Sequence, residues 1–381
     1  MRIGYVNYGS QSGVTGSLLR ELRSAGHALD LVDPTDVLEL RSAQRRLPRP
    51  TPRVLLHLVA AAAQHGRLAL DHRWNTPYAW DVHSARAGQL IDALPLRPDV
   101  LLQNGALFAP GAPPGTPYVL LCDNTCALAA RNPPVPEAGI GAHVEFGKAW
   151  GERETALYRG AAGIATFSER VRRSLIDDYG VLPGAVTVVG AGANVTPAGE
   201  RAHDGRTLLF VGKGSFRQKG GPVLLAAFRR LRKVRPEARL LLVGPTEPLE
   251  LPEGAESLGL VPFERVATLL QQATAFVLPT LREPFGIAFL DAMICGVPCI
   301  GTEDCAIPEI LDHGRAGILV PVGDDAALAE AMRGLLDDPL RAEALGAAGR
   351  RLVLEKGLLW PVVARRVEEM LLKAASRARA A

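Results

Sequence analysis

The sequence predicts an α/β chain built from two doubly wound domains, and three observations carry that expectation. Strand-length apolar runs alternate with amphipathic helical stretches in two series, one opening at Ile3 and one at Thr207. Between the series, from Thr196 to Arg206, the apolar period vanishes and the composition turns to Pro, Gly and charge, which marks a boundary. At 381 residues the chain also exceeds what one ordinary core organises.

Taken in order, residues 3–6 read as the first strand, 7–16 as a loop rich in Gly and Ser, 17–25 as a helix and 28–32 as the second strand. The loop carries no clean G-x-G-x-x-G and no P-loop lysine, so it gives little support to dinucleotide binding. Arg41, Arg45, Arg46, Arg49 and Arg53 crowd a proline-rich stretch that reads first as a solvated loop. The alternative is a patch for a phosphorylated acceptor or an anionic membrane surface. A helix over 54–65 follows, then an irregular aromatic segment from Trp74 to Trp80 and a strand over 98–103.

Residues 117–122 form a strand ending in Asp123, Asn124 and Thr125, where a lone aspartate reads as a helix cap. Helices over 150–160 and 169–179 flank a strand over 163–167, with Ser168 placed as an N-cap, and the strand 186–189 runs into the glycines before Asn194. The second series gives strands at 207–211, 240–243, 275–279, 299–302 and 317–320. Helices are expected at 222–234, 263–272, from Gly286 to Gly296, 324–336, 341–354 and from Trp360 through Leu372, with a fraying tail from Ala374 to Ala381.

The formal charge of +3 is small for this length and leaves no nucleic-acid footprint. Five cysteines in apolar surroundings argue for reduced thiols and a cytoplasmic protein. No signal peptide is read ahead of the first strand, and no apolar run is long enough to span a bilayer, so a soluble protein is expected, with peripheral membrane contact left open. The pair Cys295 and Cys299 reads as a helix end entering a strand, and no metal site is expected.

Two stretches carry the chemistry. The loop from Gly212 to Gly221 places Lys213, Arg217 and Lys219 among flexible glycines at a strand's carboxyl end. Cations there stabilise a leaving group on which negative charge grows. The second stretch runs from Pro279 to Cys299, where Phe285, Gly286 and Ile287 open a helix whose first N–H groups suit a phosphate or a sugar hydroxyl. Glu283 and Asp291 lie eight positions apart, one in the loop and one about one and a half turns into the helix. Ionised carboxylates are pure acceptors that suit vicinal diols, and a diol with a phosphate describes a nucleotide sugar.

This run resembles the E-x7-E signature of family 4 retaining glycosyltransferases (glycosyl transferases group 1). Glu283 is the first acid and Pro-Phe-Gly follows it, while Asp291 stands where the usual second acid is Glu, one methylene shorter. The resemblance implies the GT-B fold, two Rossmann-like domains facing a central cleft. It implies an N-terminal acceptor-side domain over 1–197, a donor domain over 198–360 and a final helix, 361–381, crossing back. It further implies that Arg217 and Lys219 grip the donor diphosphate, with Gly212 and Lys213 in the same loop. Leu260 meets the base by its main chain, and Gly13 and Val14 approach the acceptor. Asp123 holds a sugar hydroxyl or steadies positive charge at the anomeric carbon.

The activity so implied is transfer of a sugar (hexosyl class) from a nucleotide diphosphate sugar to an acceptor hydroxyl, without cofactor or metal, the acceptor being a glycan, lipid or small molecule. A nucleotide-sugar epimerase and an inactive nucleotide-sugar-binding protein are the alternatives.

Overall fold

A computed structural model describes residues 1–8, 13–38, 51–66, 69–131, 146–197, 199 and 201–380. Residues 9–12 of the first loop and Arg41, Arg45, Arg46 and Arg49 lie outside that set, as do 198 and 200 of the expected linker. The chain divides into two compact units: the first runs to Gly190 and takes back the chain from Ala364, and the second is Ala191–Val363.

The first unit is built on a six-stranded parallel sheet in the order β2-β1-β3-β4-β5-β6. Its strands are β1 (Arg2–Val6), β2 (Ala28–Val32), β3 (Val100–Asn104), β4 (Tyr118–Cys122), β5 (Gly163–Thr166) and β6 (Val186–Val188). β3 and β5 are buried over their full length, as a parallel sheet covered on both faces requires. Trp80 and Trp150 meet edge to face at 5.0 Å in the core on one side of this sheet.

The second unit repeats the plan with the order β12-β11-β10-β7-β8-β9. These strands are β7 (Thr207–Val211), β8 (Arg239–Val243), β9 (Ala255–Gly259), β10 (Ala275–Val277), β11 (Cys299–Thr302) and β12 (Ile318–Val320). In each sheet the order reverses beside the first strand of its series. Beside β7, the loops leaving β7 and β10 emerge next to each other, because these two strands pair in parallel.

The sequence reading does not anticipate the strand Ala255–Gly259 or the short helices Ala69–His72, Cys126–Arg131 and Ile307–Ile310, and three further elements differ from it for a local reason. The first helix starts at Val14 rather than residue 17, since Gly13, with φ 83°, supplies the turn directly. Pro77 opens a helix to Asp92 within the segment read as irregular: Thr76 accepts from Ala79 N, and proline sits where a first-turn N–H has no partner to lose. The final helix runs from Trp360 to Ala380 without fraying at 374, because Ala374 and Ala375 are buried and Arg379 donates to Asp99 at 2.7 Å.

The division at Gly190 precedes the compositional break at 196–206. Residues 191–195 belong to the second unit, where Ala193 bridges to Leu359 and Trp360 Nε1 donates to Asn194 Oδ1 at 3.0 Å.

Ser168 caps the helix Glu169–Asp177 by accepting from Val171 N at 3.3 Å. Replacing it with Ala is expected to lower stability by about 1 kcal/mol. The check is a lower urea midpoint with an unchanged slope.

Candidate functional site

The candidate site forms at the carboxyl ends of β7 and β10, inside the second unit. Phe216 is buried and meets Phe210 edge to face at 5.6 Å, which anchors the β7 loop to its strand. The loop then turns through Arg217 and Gln218 into Gly220, whose φ of 76° precedes the helix Gly221–Arg232. A Cβ at Gly220 would collide with the Pro279 carbonyl, so the glycine lets the two loops touch backbone to backbone. The Gln218 carbonyl fastens the contact by accepting from Leu281 N at 2.9 Å and Thr280 Oγ1 at 3.2 Å, while Thr302 Oγ1 donates to the Thr280 carbonyl at 2.9 Å.

That brace brings Lys219 to Glu283, which pair as an ion pair through Nζ and Oε2. Their side chains are 21% and 13% exposed, so the pair is shielded from bulk solvent yet reachable. Glu283 therefore aligns the ammonium that a diphosphate would take up, and Lys219 fixes the carboxylate that a sugar hydroxyl would address. Around the pair, Lys213 and Arg217 are exposed, and Gly212 is buried with its N–H on the Val243 carbonyl.

The helix Ile287–Ile294 begins beside Glu283. Its N-cap is Gly286 with φ 104°, no side chain caps it and its first turn holds no acid. Its leading N–H groups are thus left to an anion or a hydroxyl. Phe285 and Ile287 are buried on either side of Gly286. Leu260 follows the end of β9 and is 63% exposed.

Asp291 departs from the expectation of two acceptors open to a diol. Its residue is 6% exposed, and Oδ1 accepts from Asn194 N at 2.5 Å and Val195 N at 3.2 Å. The carboxyl is committed to the backbone of the turn whose side chain holds Trp360. Burial pushes its pKa up from 3.8 to about 7, against the opposing pull of the Asn194 and Val195 donors.

The remaining expected residues lie in the first unit. Asp123 follows β4 and is half-buried, Gly13 is the N-cap of the first helix, and Val14 is buried. What the sequence reading missed is the brace of Gln218, Thr280 and Thr302. Its one visible sign is the Gly220-Gly221 pair ahead of Pro222. The described residues contain no group of three or more His, Cys, Asp or Glu placed to hold a metal ion.

Residues 205–338 match the family model described as glycosyl transferases group 1. The chain is 36% identical over 158 residues to a phosphatidyl-myo-inositol mannosyltransferase of Mycolicibacterium smegmatis, covering 39% of this chain and 41% of that protein. It is 31% identical over 235 residues to a D-inositol 3-phosphate glycosyltransferase of Thermobispora bispora, 54% of each chain. The chain thus spans about half the length of the curated relatives it matches.

Among solved structures, it resembles the sucrose-phosphate synthase of Thermosynechococcus elongatus with a TM-score of 0.70 at 18% identity, over 97% of this chain and 98% of that one. It also resembles HepE of Anabaena in complex with UDP-glucose, with a TM-score of 0.65 at 16% identity, over 97% and 99%. These likenesses establish the GT-B fold, as the sequence resemblance implied.

Two outcomes test this geometry. Gly220→Ala is expected to cost about 2–4 kcal/mol, since both a positive φ and a backbone clash must be relieved; thermal melting reads it. Asp291→Asn keeps an acceptor for the two N–H groups and removes the titration. In the wild type the native state holds the Asp291 proton more tightly than the unfolded chain, so this group's contribution is full below about 4 and is lost as pH rises through about 7. Urea titrations from pH 4 to 8 should show a flatter profile for the variant, which exceeds the wild type in stability at pH 8.

Proposed function

We propose that the chain, whose residues 205–338 form a glycosyl transferases group 1 domain, is a retaining glycosyltransferase that moves a sugar from a nucleotide diphosphate sugar to an acceptor hydroxyl. The observation that carries this reading is the meeting of Lys219 with Glu283 beside the uncapped start of the helix Ile287–Ile294. A diphosphate needs cations and free N–H groups, and a hexose needs a fixed carboxylate. One strand-end edge of the second unit holds all three.

In the proposed step the bond from the anomeric carbon to the diphosphate oxygen breaks, and its electron pair leaves with the nucleoside diphosphate. The acceptor oxygen bonds to the same face of that carbon, and its proton passes to the departing diphosphate oxygen. Lys219, with Arg217 and Lys213 in the same loop, stabilises the charge that grows on that oxygen, the work a divalent metal does in other transferases. Glu283 positions the sugar through its hydroxyls. Asp123, by the family resemblance, steadies the anomeric carbon. Five cysteines, four of them buried, suit action in a reducing cytoplasm.

Uridine nucleotides head the donor panel, because solved relatives of this fold hold UDP and UDP-glucose. The test is release of nucleoside diphosphate over a panel of donors and acceptors, with product anomer read by NMR and the assay repeated in EDTA. Lys219→Ala and Glu283→Ala should each lower turnover by roughly a hundredfold or more. The charge-balanced double variant should melt above either single variant, since neither charge is left without its partner, yet stay as inactive. A fully active double variant would reject the assignment. Product formed without any acceptor would favour an epimerase, and donor binding without turnover a binding protein.

A further inference from the structure

In the first unit, residues 123–125 join β4 to the helix Cys126–Arg131. A helix of six residues cannot hold its own place, because its first-turn N–H groups have no partner within it. Here a side chain takes up each of the first three. Leu128 N donates to Thr125 Oγ1 at 3.1 Å, Ala127 N to the Tyr179 hydroxyl at 2.9 Å and Cys126 N to Glu154 Oε1 at 3.2 Å. The first contact is an ordinary N-cap, whereas the other two acceptors stand 52 and 28 residues further along the chain.

Those two acceptors form one assembly. Tyr179 donates its hydroxyl proton to Glu154 Oε2 at 2.7 Å, and Tyr158 donates to Glu154 Oε1 at 2.9 Å. Glu154, in the middle of the helix Gly147–Gly160, is 2% exposed and thus accepts from three donors out of reach of solvent. Burial raises its pKa, and the donors oppose that rise. The Thr125 side is held as well. Ser174 Oγ spends its proton on Asp178 Oδ2 at 2.6 Å and so accepts from Thr125 Oγ1 at 2.8 Å, while Asp178 pairs with Arg131 at the far end of the short helix.

A buried carboxylate is a costly way to fill space, since a packed apolar side chain of the same volume would serve stability as well or better. What the acid adds is direction. An acceptor braced by two tyrosines fixes where the Cys126 and Ala127 N–H groups point, and with them the turn that precedes the helix. That turn begins at Asp123.

We propose that Glu154 is a positioning residue for sugar transfer: with Tyr179 it holds the start of the helix Cys126–Arg131 and thereby fixes Asp123 at the end of β4. The proposal rests on the role given to Asp123 under the transferase reading, and Glu154 acts through the turn rather than on substrate.

Three single variants separate positioning from plain stability. Tyr179→Phe removes the acceptor of Ala127 N and a donor to Glu154. Glu154→Gln keeps an acceptor for Cys126 and removes the one that Tyr179 uses. Tyr118→Phe is the control: it deletes a tyrosine hydroxyl that donates to the Leu157 carbonyl of the same helix at 2.8 Å and makes no bond to the short helix. All three should melt a few degrees below wild type. With a donor that the wild type turns over, Tyr179→Phe and Glu154→Gln should lower kcat roughly tenfold at an unchanged donor KM, and Tyr118→Phe should keep the wild-type kcat. Added to Asp123→Asn, Tyr179→Phe should lower kcat no further, because one residue acts through the other. Hydrogen exchange of the peptide spanning 123–131, read by mass spectrometry well below melting, should quicken in Tyr179→Phe and Glu154→Gln alone.

A wild-type kcat in Tyr179→Phe, an equal loss in the control, unaltered exchange of that peptide or an additive loss on top of Asp123→Asn each overturns the proposal while leaving the transferase reading in place. A fully active Asp123→Asn, or a wild type that turns over no donor, removes the reading beneath the proposal and the proposal with it.

Discussion

The second unit depends on two loops being able to touch. Without a Cβ at residue 220 the backbones of the β7 and β10 loops meet, and that meeting delivers Lys219 to Glu283. A lysine on a free loop would sweep through solvent and lose much of its effect to screening and side-chain entropy. Here its stem is confined beside Gly212 and its ammonium is already oriented by a carboxylate. Preorganisation of this kind is what makes a cation more valuable to a developing charge than to the ground state.

The same constraint explains the division of labour between the two acids of the signature. Glu283 stays in the loop, paired but reachable. Asp291, the fifth residue of the helix Ile287–Ile294, is drawn into the backbone at Asn194 and Val195. Its shorter side chain suits that work: Oδ1 lies within 3.2 Å of both N–H groups. The stretch it secures is also tied to Trp360, so two segments distant in sequence are fixed to each other within the second unit. A carboxyl buried among backbone donors therefore responds to pH through its raised pKa.

The first unit shows a different economy. Its parallel sheet is covered as the apolar pattern demands, yet the helix Pro52–His65 keeps a histidine inside and Leu55, Leu56 and Val59 outside. Neighbouring aromatic rings hold that histidine in place, with Trp74 lying 5.2 Å from His57 and 5.4 Å from His83. The helix is therefore set by its inner contacts.

Sequence alone outlined most of the two series of strands and helices, because apolar period and strand length are local properties that burial on both faces of a parallel sheet enforces; the strand Ala255–Gly259, half exposed at the sheet edge, carries no such pattern. It also placed the Gly212–Gly221 run at a strand's end, Glu283 in the loop ahead of a helix and Ser168 at a cap, features written in short runs of residue type. It misjudged Pro77 and Gly13, where one residue serves equally to end a segment or to start one, and only the neighbouring cap decides. Tertiary structure alone decided that Gly220 lies on Pro279, that Asp291 faces the Asn194 backbone and that the helix Pro52–His65 turns Leu55, Leu56 and Val59 outward. Each of these is a contact between residues far apart in the chain, or a rotation about a helix axis, and no local pattern encodes which of two available faces the rest of the fold will cover.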